Sequence, residues 1–203
     1  MNVVNHWKNA IQALSEKDKV IKKIILNYRG ECMELRGNGF ITLARSIVGQ
    51  QISVKAADTV WKRLEIKCNK TVNAENILSL PNLELKSVGL SKQKISYMQN
   101  IAKTNIFDTK WIEKTDDEAI DILCTIKGIG KWTAEMFLIF HLARPNILPL
   151  GDVGLIKGIE KHYNNGAKME KAEIIKLKEL WNPWCSVFTW YIWRSLDPIP
   201  VNY

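Results

Sequence analysis

The segment 123–134 places two glycines where a phosphate group could be bound. The turn Gly128-Ile129-Gly130 stands between one helical pattern and the next. Glycine allows a positive φ and a close approach of the backbone to a ligand. The first amides of a helix form an electropositive end that suits a phosphate oxygen, and Lys127 or Lys131 would add charge there. The alternative is a plain corner between two helices, because a single Gly-x-Gly is weak evidence.

Aromatic side chains near the carboxyl end could form a ligand pocket. The segment 184–193 includes Trp190, Tyr191 and Trp193 and leaves little of a helix circumference polar. Such a helix must be buried on most sides or must line a cavity. Core packing is the plain interpretation for most of these residues, and a pocket lined by aromatic faces is the alternative for one or two.

The elements that would hold these residues are helical nearly throughout. The apolar residues of 54–64 recur at helical spacing behind a capping Ser53, and Thr115 begins a capping box completed by Glu118. Further helical patterns cover 92–104, 131–143 and 170–181, and Asn182-Pro183 is expected to start the last helix with proline in its first turn. Because no alternating run is long enough for a sheet, the sequence predicts an all-α fold.

Net charge and the lengths of the apolar stretches indicate which binding partners and which cellular compartment to expect. The 203 residues carry 29 Lys and Arg against 21 Asp and Glu, a net charge of +8. A basic surface favours nucleic acid, although many proteins carry such charge only for solubility. No apolar stretch is long enough for a membrane span, and the N-terminus lacks a signal layout. We therefore expect no membrane partner and a cytoplasmic protein, located with the genome of a prokaryote.

The four cysteines, 32, 68, 124 and 185, are far apart and form no Cys-x-x-Cys pair. This spacing excludes a four-cysteine zinc site and an iron–sulfur cluster of compact layout. A chain of this size buries a core without disulfides, so we expect reduced thiols.

Several motifs together resemble one family. The segment 123–134 resembles a helix-hairpin-helix, and about twenty residues later a Gly/Pro loop, Leu148 to Gly154, contains Asp152 and leads into Leu-Ile-Lys. The upstream segment 40–53, with Gly-Gln-Gln-Ile-Ser, and the segment 88–94 fit the same pattern. From about residue 40 to 196 the chain resembles the helix-hairpin-helix/Gly-Pro-Asp DNA glycosylase superfamily. The alkylpurine branch, the 3-methyladenine DNA glycosylase II type, is the best match within it.

The resemblance implies an architecture. It predicts a single glycosylase domain over 1–203, built from two helical lobes with the active site in the cleft between them. The central lobe would cover approximately 40–145 and carry the hairpin 123–134. The second lobe would combine approximately 1–39 with 146–203. Better-known members of the branch have an N-terminal sheet domain, which we do not expect here because residues 1–39 have a helical pattern.

The resemblance assigns catalysis to Asp152, which is also the only acid between Glu135 and Glu160. A carboxylate there would stabilise positive charge developing on the sugar and could orient the attacking water. Its plainer role, capping the helix that begins at Val153, is compatible with catalysis. Members that also cut the strand carry a lysine at the position of Trp132. Lys131 is one residue early and about 100° away on the helix, so the sequence predicts a monofunctional enzyme. Gly151 stands where the family has a second acid.

Further residues are assigned by the same resemblance. Base-pocket positions match Trp132 and Trp193, with Tyr191 as a weaker candidate, and aromatic faces attract cationic alkylated purines. Gln51 matches the residue that fills the gap when a base leaves the duplex, with a solvent-exposed cap for the helix at Ser53 as the alternative. The residues assigned to DNA binding are Gly128, Gly130, Lys131, Thr133 and Gln51.

These assignments predict hydrolytic excision of alkylated purines such as 3-methyladenine from damaged double-stranded DNA. The protein is expected to act as a monomer without metal or other cofactor, although a monovalent cation on hairpin carbonyls would fit the family. Two alternatives remain. One is a glycosylase for another purine lesion, such as hypoxanthine, ethenoadenine or an oxidised purine. The other is a non-catalytic helix-hairpin-helix module, which would need neither Asp152 nor the aromatic last helix.

Overall fold

The computed structural model describes residues 4–35 and 38–197, and within these ranges the chain is helical with no β-strand. The all-α prediction is confirmed. None of the described helices is long and apolar enough to cross a membrane. The helices are α1 (Trp7–Lys17), α2 (Lys19–Asn27), α3 (Gly39–Gly49), α4 (Val54–Lys67), α5 (Ala74–Ser79), α6 (Asn82–Ser87), α7 (Lys92–Ala102), α8 (Asp116–Cys124), α9 (Lys131–Phe140), α10 (Val153–Tyr163), α11 (Lys171–Trp181) and α12 (Cys185–Arg194).

Local capping signals place most helix starts where the sequence predicts them. The Ser53 hydroxyl accepts from the Ala56 amide at 3.3 Å, and Thr115 and Glu118 form a reciprocal capping box. The boundaries of α7, α9 and α12 differ from the prediction, and α7 ends at Ala102, two residues before the predicted end. Helix α9 ends at Phe140, since Ala143 has a φ of 55° and Arg144 precedes a proline. Helix α12 begins only at Cys185, so Pro183 lies before the helix and not in its first turn.

The chain divides into two compact units, which we call the central unit (36–142) and the terminal unit (1–35 with 143–202). The predicted lobes, divided near residues 40 and 145, stay a prediction. Both ends of the terminal unit are brought together by packing of α1 and α2 against α12. The hairpin and Gln51 therefore belong to the central unit, and Asp152 and Trp193 to the terminal unit.

The core of the central unit lies between α3 and α9. Helix α9 buries every residue from Thr133 to Phe140, and α3 buries all of its residues except Ile41 and Arg45. A side-chain carbon at Gly39 would lie 3.0 Å from the Phe137 ring. This close approach fixes the start of α3 against α9, and α9 in turn carries the hairpin at its N-terminus.

The core of the terminal unit surrounds α12, whose residues from Cys185 to Trp193 are all buried. Helix α10 packs against it at Gly158, where a side-chain carbon would lie only 2.3 Å from Ile192 Cγ2. Only glycine permits this approach. The contact sets the distance between the start of α10, where Asp152 lies, and the aromatic end of α12.

A buried carboxylate joins three helices of the terminal unit. Asp18 is 5% exposed, and its Oδ1 caps α2 by accepting from the Val20 amide at 2.7 Å. Its Oδ2 accepts from the Tyr163 hydroxyl at 2.5 Å and from the Trp181 indole at 3.0 Å. The carboxylate thus links the start of α2 to the ends of α10 and α11. Burial, and then the bond to Asp18, raises the pKa of Tyr163.

Replacing Tyr163 by phenylalanine is expected to lower the free energy of unfolding at neutral pH by about 2 kcal/mol, because a hydrogen bond to a charged group is lost. The folded protein keeps the Tyr163 proton above pH ~10, where the unfolded chain loses it. This residue's contribution is therefore full below pH ~10 and is lost as pH rises further. Urea unfolding between pH 7 and 11 should show a smaller alkaline loss for Tyr163→Phe than for wild type. An unchanged alkaline slope would contradict this assignment.

Candidate active site and DNA-binding elements

Asp152 stands at the N-terminus of α10 with its carboxylate held by two donors. Its Oδ1 accepts from the Leu155 amide at 2.6 Å and from the Trp193 indole N–H at 2.9 Å. The Asp152 amide donates to the Pro149 carbonyl at 2.8 Å, which closes the Gly/Pro loop behind it. The cap on α10 and the predicted catalytic position thus coincide in one side chain.

Trp193 reaches the carboxylate because the space between them contains a glycine. A side-chain carbon at Gly154 would lie 3.2 Å from Asp152 Oδ1 and 3.7 Å from Trp193 Cδ1. Trp193 itself is 5% exposed. The next residue, Arg194, forms a bidentate ion pair with Glu31. Its Nε donates to Oε2 at 2.6 Å and its Nη2 donates to Oε1 at 3.1 Å. Trp193 is therefore anchored on both sides, and it orients the carboxylate as well as offering an aromatic ring.

Replacing Trp193 by phenylalanine tests this orientation. The variant keeps a ring and removes the N–H donor, so we expect kcat for base release to fall about tenfold, equivalent to ~1.4 kcal/mol in the barrier. Trp181→Phe is the matched control, since it removes an indole donor from Asp18 in the same unit. The control should lower the melting temperature and leave kcat within about twofold of wild type. Equal loss of kcat in both variants would show that the effect is only structural.

The hairpin joins α8 to α9 through residues 125–130, and its two glycines differ. Gly128 has a φ of +107°, and a side-chain carbon there would lie 2.2 Å from Cγ of Tyr97. Gly130 has a φ of −95°, extended backbone that any residue adopts, with open space around it. A positive φ is therefore required at Gly128 and not at Gly130. Open space at Gly130 is what close approach of a phosphate needs.

Helix α9 begins after Gly130, which has no side chain that could cap the helix. Gly130 is the N-cap and makes no side-chain hydrogen bond. Lys131 is exposed beside it, Trp132 is half-buried, and Thr133 is 2% exposed. The Thr133 hydroxyl accepts from Gln50 Nε2 at 3.1 Å. Its predicted DNA contact would therefore use the backbone amide, together with that of Lys131.

The turn 49–53, which we call the wedge turn, projects Gln51 from the central unit. Gln51 is exposed with a φ of 59°, and Ile52 beside it is 41% exposed. A left-handed, non-glycine residue next to an exposed aliphatic side chain is unfavourable in an ordinary loop. The arrangement fits a turn that fills a gap in a base stack, and the wedge assignment of Gln51 stays a prediction.

Tyr191 lies inside the terminal unit. It is fully buried, with its ring centroid 5.6 Å from Trp7 and 5.0 Å from Trp190. Its hydroxyl donates to the Glu31 carbonyl at 3.3 Å, and burial raises its pKa to about 12. These contacts favour the packing role that the sequence left open beside the pocket role.

The family resemblance is compatible with a monovalent cation on the hairpin carbonyls. The Lys127 carbonyl accepts from Asn100 Nδ2 at 2.9 Å, and the Gly128 carbonyl accepts from Gln50 Nε2 at 3.2 Å. The Ile126 carbonyl accepts from the Ile129 amide at 2.9 Å. Each oxygen retains a second lone pair, so these bonds leave the carbonyls able to accept again. Within 4–35 and 38–197, no group of three His, Cys, Asp or Glu residues has a metal-binding arrangement.

Two contributors to these sites are missing from the sequence assignments. Gln50 bonds to the hairpin, and Gly154 separates Asp152 from Trp193. Gln50 lies in the Gly-Gln-Gln-Ile-Ser motif, which marks this segment as functional. The sequence analysis assigns a role to Gln51 of this motif and none to Gln50. No sequence signal distinguishes Gly154, the second residue of α10, from the other glycines of this segment.

The features described so far are an acid at a helix start after a Gly/Pro loop, a glycine hairpin and an exposed turn, and they fit a helical protein that binds DNA. A family profile described as "HhH-GPD superfamily base excision DNA repair protein" matches residues 44–183. The chain therefore belongs to the HhH-GPD superfamily of base excision DNA repair proteins. The superfamily predicted from the motifs is confirmed, and so is the role in base excision repair.

Individual relatives agree with the family. DNA-3-methyladenine glycosylase 1 of Schizosaccharomyces pombe is 28% identical over 192 residues, covering 91% of this chain and 84% of the relative. The structure of the S. pombe 3-methyladenine DNA glycosylase Mag1 in complex with abasic DNA has a TM-score of 0.81 at 28% identity, covering 92% and 96% of the two chains. DNA-3-methyladenine glycosidase from Bacillus halodurans is 30% identical with a TM-score of 0.73, covering 93% and 89%.

Proposed function

We propose that this protein is a monofunctional DNA glycosylase that removes alkylated purines, such as 3-methyladenine, from duplex DNA by hydrolysis. The relatives named 3-methyladenine glycosylases support the substrate, and the complex of Mag1 with abasic DNA supports the product. The observation that carries the proposal is the Asp152 carboxylate, held by the Leu155 amide and the Trp193 indole. Capping of α10 accounts for the bond from the Leu155 amide, and a DNA-binding module without catalysis does not need the second bond, from the Trp193 indole, that orients the carboxylate.

Asp152 supplies the charge that the reaction needs. Breaking the bond between C1′ and the base nitrogen places positive charge on the sugar, and a fixed carboxylate stabilises that charge. The same group can orient the attacking water and accept its proton. Because both donors bind Oδ1, the plane of the carboxylate is fixed before the substrate arrives.

Water is the nucleophile in this proposal because the lyase position offers no amine. Trp132 stands where strand-cutting relatives would carry lysine, and an indole cannot form a Schiff base. Lys131 is exposed on the adjacent position of α9. Neighbouring residues diverge by about 100° on a helix, so its ammonium serves phosphate binding. The product is an intact strand with an abasic site.

Substrate selection follows from charge. Purines alkylated at N3 or N7 are cationic, and the faces of Trp132 and Trp193 attract cations through their ring electrons. Such bases are also good leaving groups, so few hydrogen bonds to the base are needed. The partner is damaged double-stranded DNA held by the amides of α9, and we further propose a monomer in the compartment that holds the genome.

The test is base release from duplex DNA that has been randomly methylated with a radiolabelled methyl donor. Chromatography should identify free 3-methyladenine, and strand breaks should appear only after alkali. Strand breaks without alkali would contradict the monofunctional mechanism. Binding without release of any methylated base would contradict the alkylpurine assignment.

A further inference from the structure

Gln50 connects the wedge turn to the hairpin through one side-chain amide. It is the residue after the last turn of α3, half-buried, and directly precedes Gln51. Its Nε2 donates to the Gly128 carbonyl at 3.2 Å and to the Thr133 hydroxyl at 3.1 Å. One acceptor lies in the hairpin turn and the other in the first turn of α9. The amide therefore contacts the hairpin on both sides of Gly130.

Helix α7 supports both elements from one side. Lys94 Nζ donates to the Val48 carbonyl at 2.8 Å, just before the wedge turn, and burial lowers the pKa of this lysine. Asn100 Nδ2 donates to the Lys127 carbonyl at 2.9 Å, just before Gly128. The wedge turn and the hairpin are thus each tied to α7, and Gln50 ties them directly to each other.

The strained backbone at Gln51 needs to be restrained by its neighbours, and the bonds of Gln50 can provide that restraint. A non-glycine residue at a φ of 59° relaxes unless its neighbours determine its conformation. The backbone of Gln50 is continuous with Gln51, and its side chain is held at two points by the hairpin. Holding Gln50 therefore restrains the direction in which Gln51 projects relative to the phosphate-binding amides.

We propose that Gln50 is a positioning residue that couples the wedge turn to the hairpin, so that phosphate binding delivers Gln51 in register with the duplex. The inference rests on the proposed function for the identity of the DNA substrate. Gln50 itself contacts protein, and it acts through Gln51.

The experiment compares two 20-base-pair duplexes of the same sequence, one intact and one with a tetrahydrofuran abasic analogue, by fluorescence anisotropy. For Gln50→Ala we expect affinity for the intact duplex within about twofold of wild type, since hairpin amides still bind phosphate. Affinity for the abasic duplex should fall about tenfold, because the wedge no longer fills the gap reliably. Gln99→Ala is the matched control, since Gln99 Nε2 bonds Asn82 Oδ1 at 2.9 Å away from both elements. It should behave as wild type.

A second variant separates positioning from stability. Thr133→Val removes one acceptor of Gln50 with little change in volume, and it should lose part of the abasic preference. The Gln50→Ala, Thr133→Val double variant should lose no more of the abasic preference than Gln50→Ala alone. The same is expected of the Gln50→Ala, Gln51→Ala double variant. Parallel loss of affinity for both duplexes, in proportion to a lower melting temperature, would overturn the proposal.

Failure of this inference and failure of the proposed function have different signatures. If wild type releases no methylated base but its preference for abasic DNA depends on Gln50, the proposed function fails and the coupling stands. If wild type releases 3-methyladenine and Gln50→Ala keeps the full abasic preference, the coupling fails and the proposed function stands.

Discussion

Asp152→Asn is expected to reduce the single-turnover rate of 3-methyladenine release by about a thousandfold or more. Loss of an electrostatic stabiliser costs about 10²- to 10³-fold, and loss of a general base adds to this. The substitution preserves structure, because an asparagine oxygen still accepts from the Leu155 amide and the Trp193 indole. Asparagine is also among the preferred N-cap residues. The effect should therefore fall on the chemical step alone.

Three measurements isolate that step. Affinity of Asp152→Asn for the abasic duplex should remain within a few-fold of wild type, and its melting temperature should be unchanged. Asp152→Ala should be equally inactive and also less stable by about 1 kcal/mol, because the cap on α10 is lost. Asp58→Asn changes an exposed carboxylate paired with Lys62 in the central unit, and it should retain full activity. Substantial release by Asp152→Asn would remove Asp152 from the mechanism.

Local signals made much of the fold predictable from the sequence. Ser53, Thr115 and Asp152 each cap the helix that follows, and capping involves residues only three positions apart. Helical periodicity likewise needs only one segment at a time. The start of α12 was misplaced because proline fits a first helical turn, yet here Trp184 is the N-cap. Proline marks a boundary region, and it does not fix the residue at which the helix begins.

Contacts between distant segments were not predictable from spacing. The Trp193 indole meets Asp152 across 41 positions, and Gln50 meets Thr133 across 83. The periodicity of apolar residues within one helix does not predict such pairs, since these contacts depend on how different helices pack against each other. The family resemblance named Asp152 and Trp193 separately, and only the structure shows the bond between them. For Gln50, the motif marked the right segment, but the role of the side chain depends on the hairpin packed beside it.

Alanine substitutions at the two hairpin glycines are expected to affect different properties, namely stability at Gly128 and DNA affinity at Gly130. Gly128→Ala is expected to lower the free energy of unfolding of the central unit by about 2–4 kcal/mol, because overpacking and a disfavoured φ both contribute. The new methyl would lie 2.2 Å from the Tyr97 ring at a φ of +107°. Either Tyr97 or the hairpin must move, and the movement also disturbs the Gly128 carbonyl that Gln50 binds. Urea unfolding would measure the loss.

Gly130→Ala should leave the free energy of unfolding within about 1 kcal/mol of wild type, the usual range for exchanging an N-cap glycine for alanine. Apart from the neighbouring residues of the chain, no atom of the described residues lies within 4 Å of the added carbon. Its methyl instead occupies space that a phosphate would need, so affinity for intact and abasic duplexes should both fall. A loss of stability would thus show the packing role of Gly128, and a loss of DNA affinity would show the phosphate contact at Gly130. A Gly130→Ala variant with unchanged DNA affinity would move the phosphate contact away from the start of α9. A fully stable Gly128→Ala variant would contradict the close packing of this turn on Tyr97.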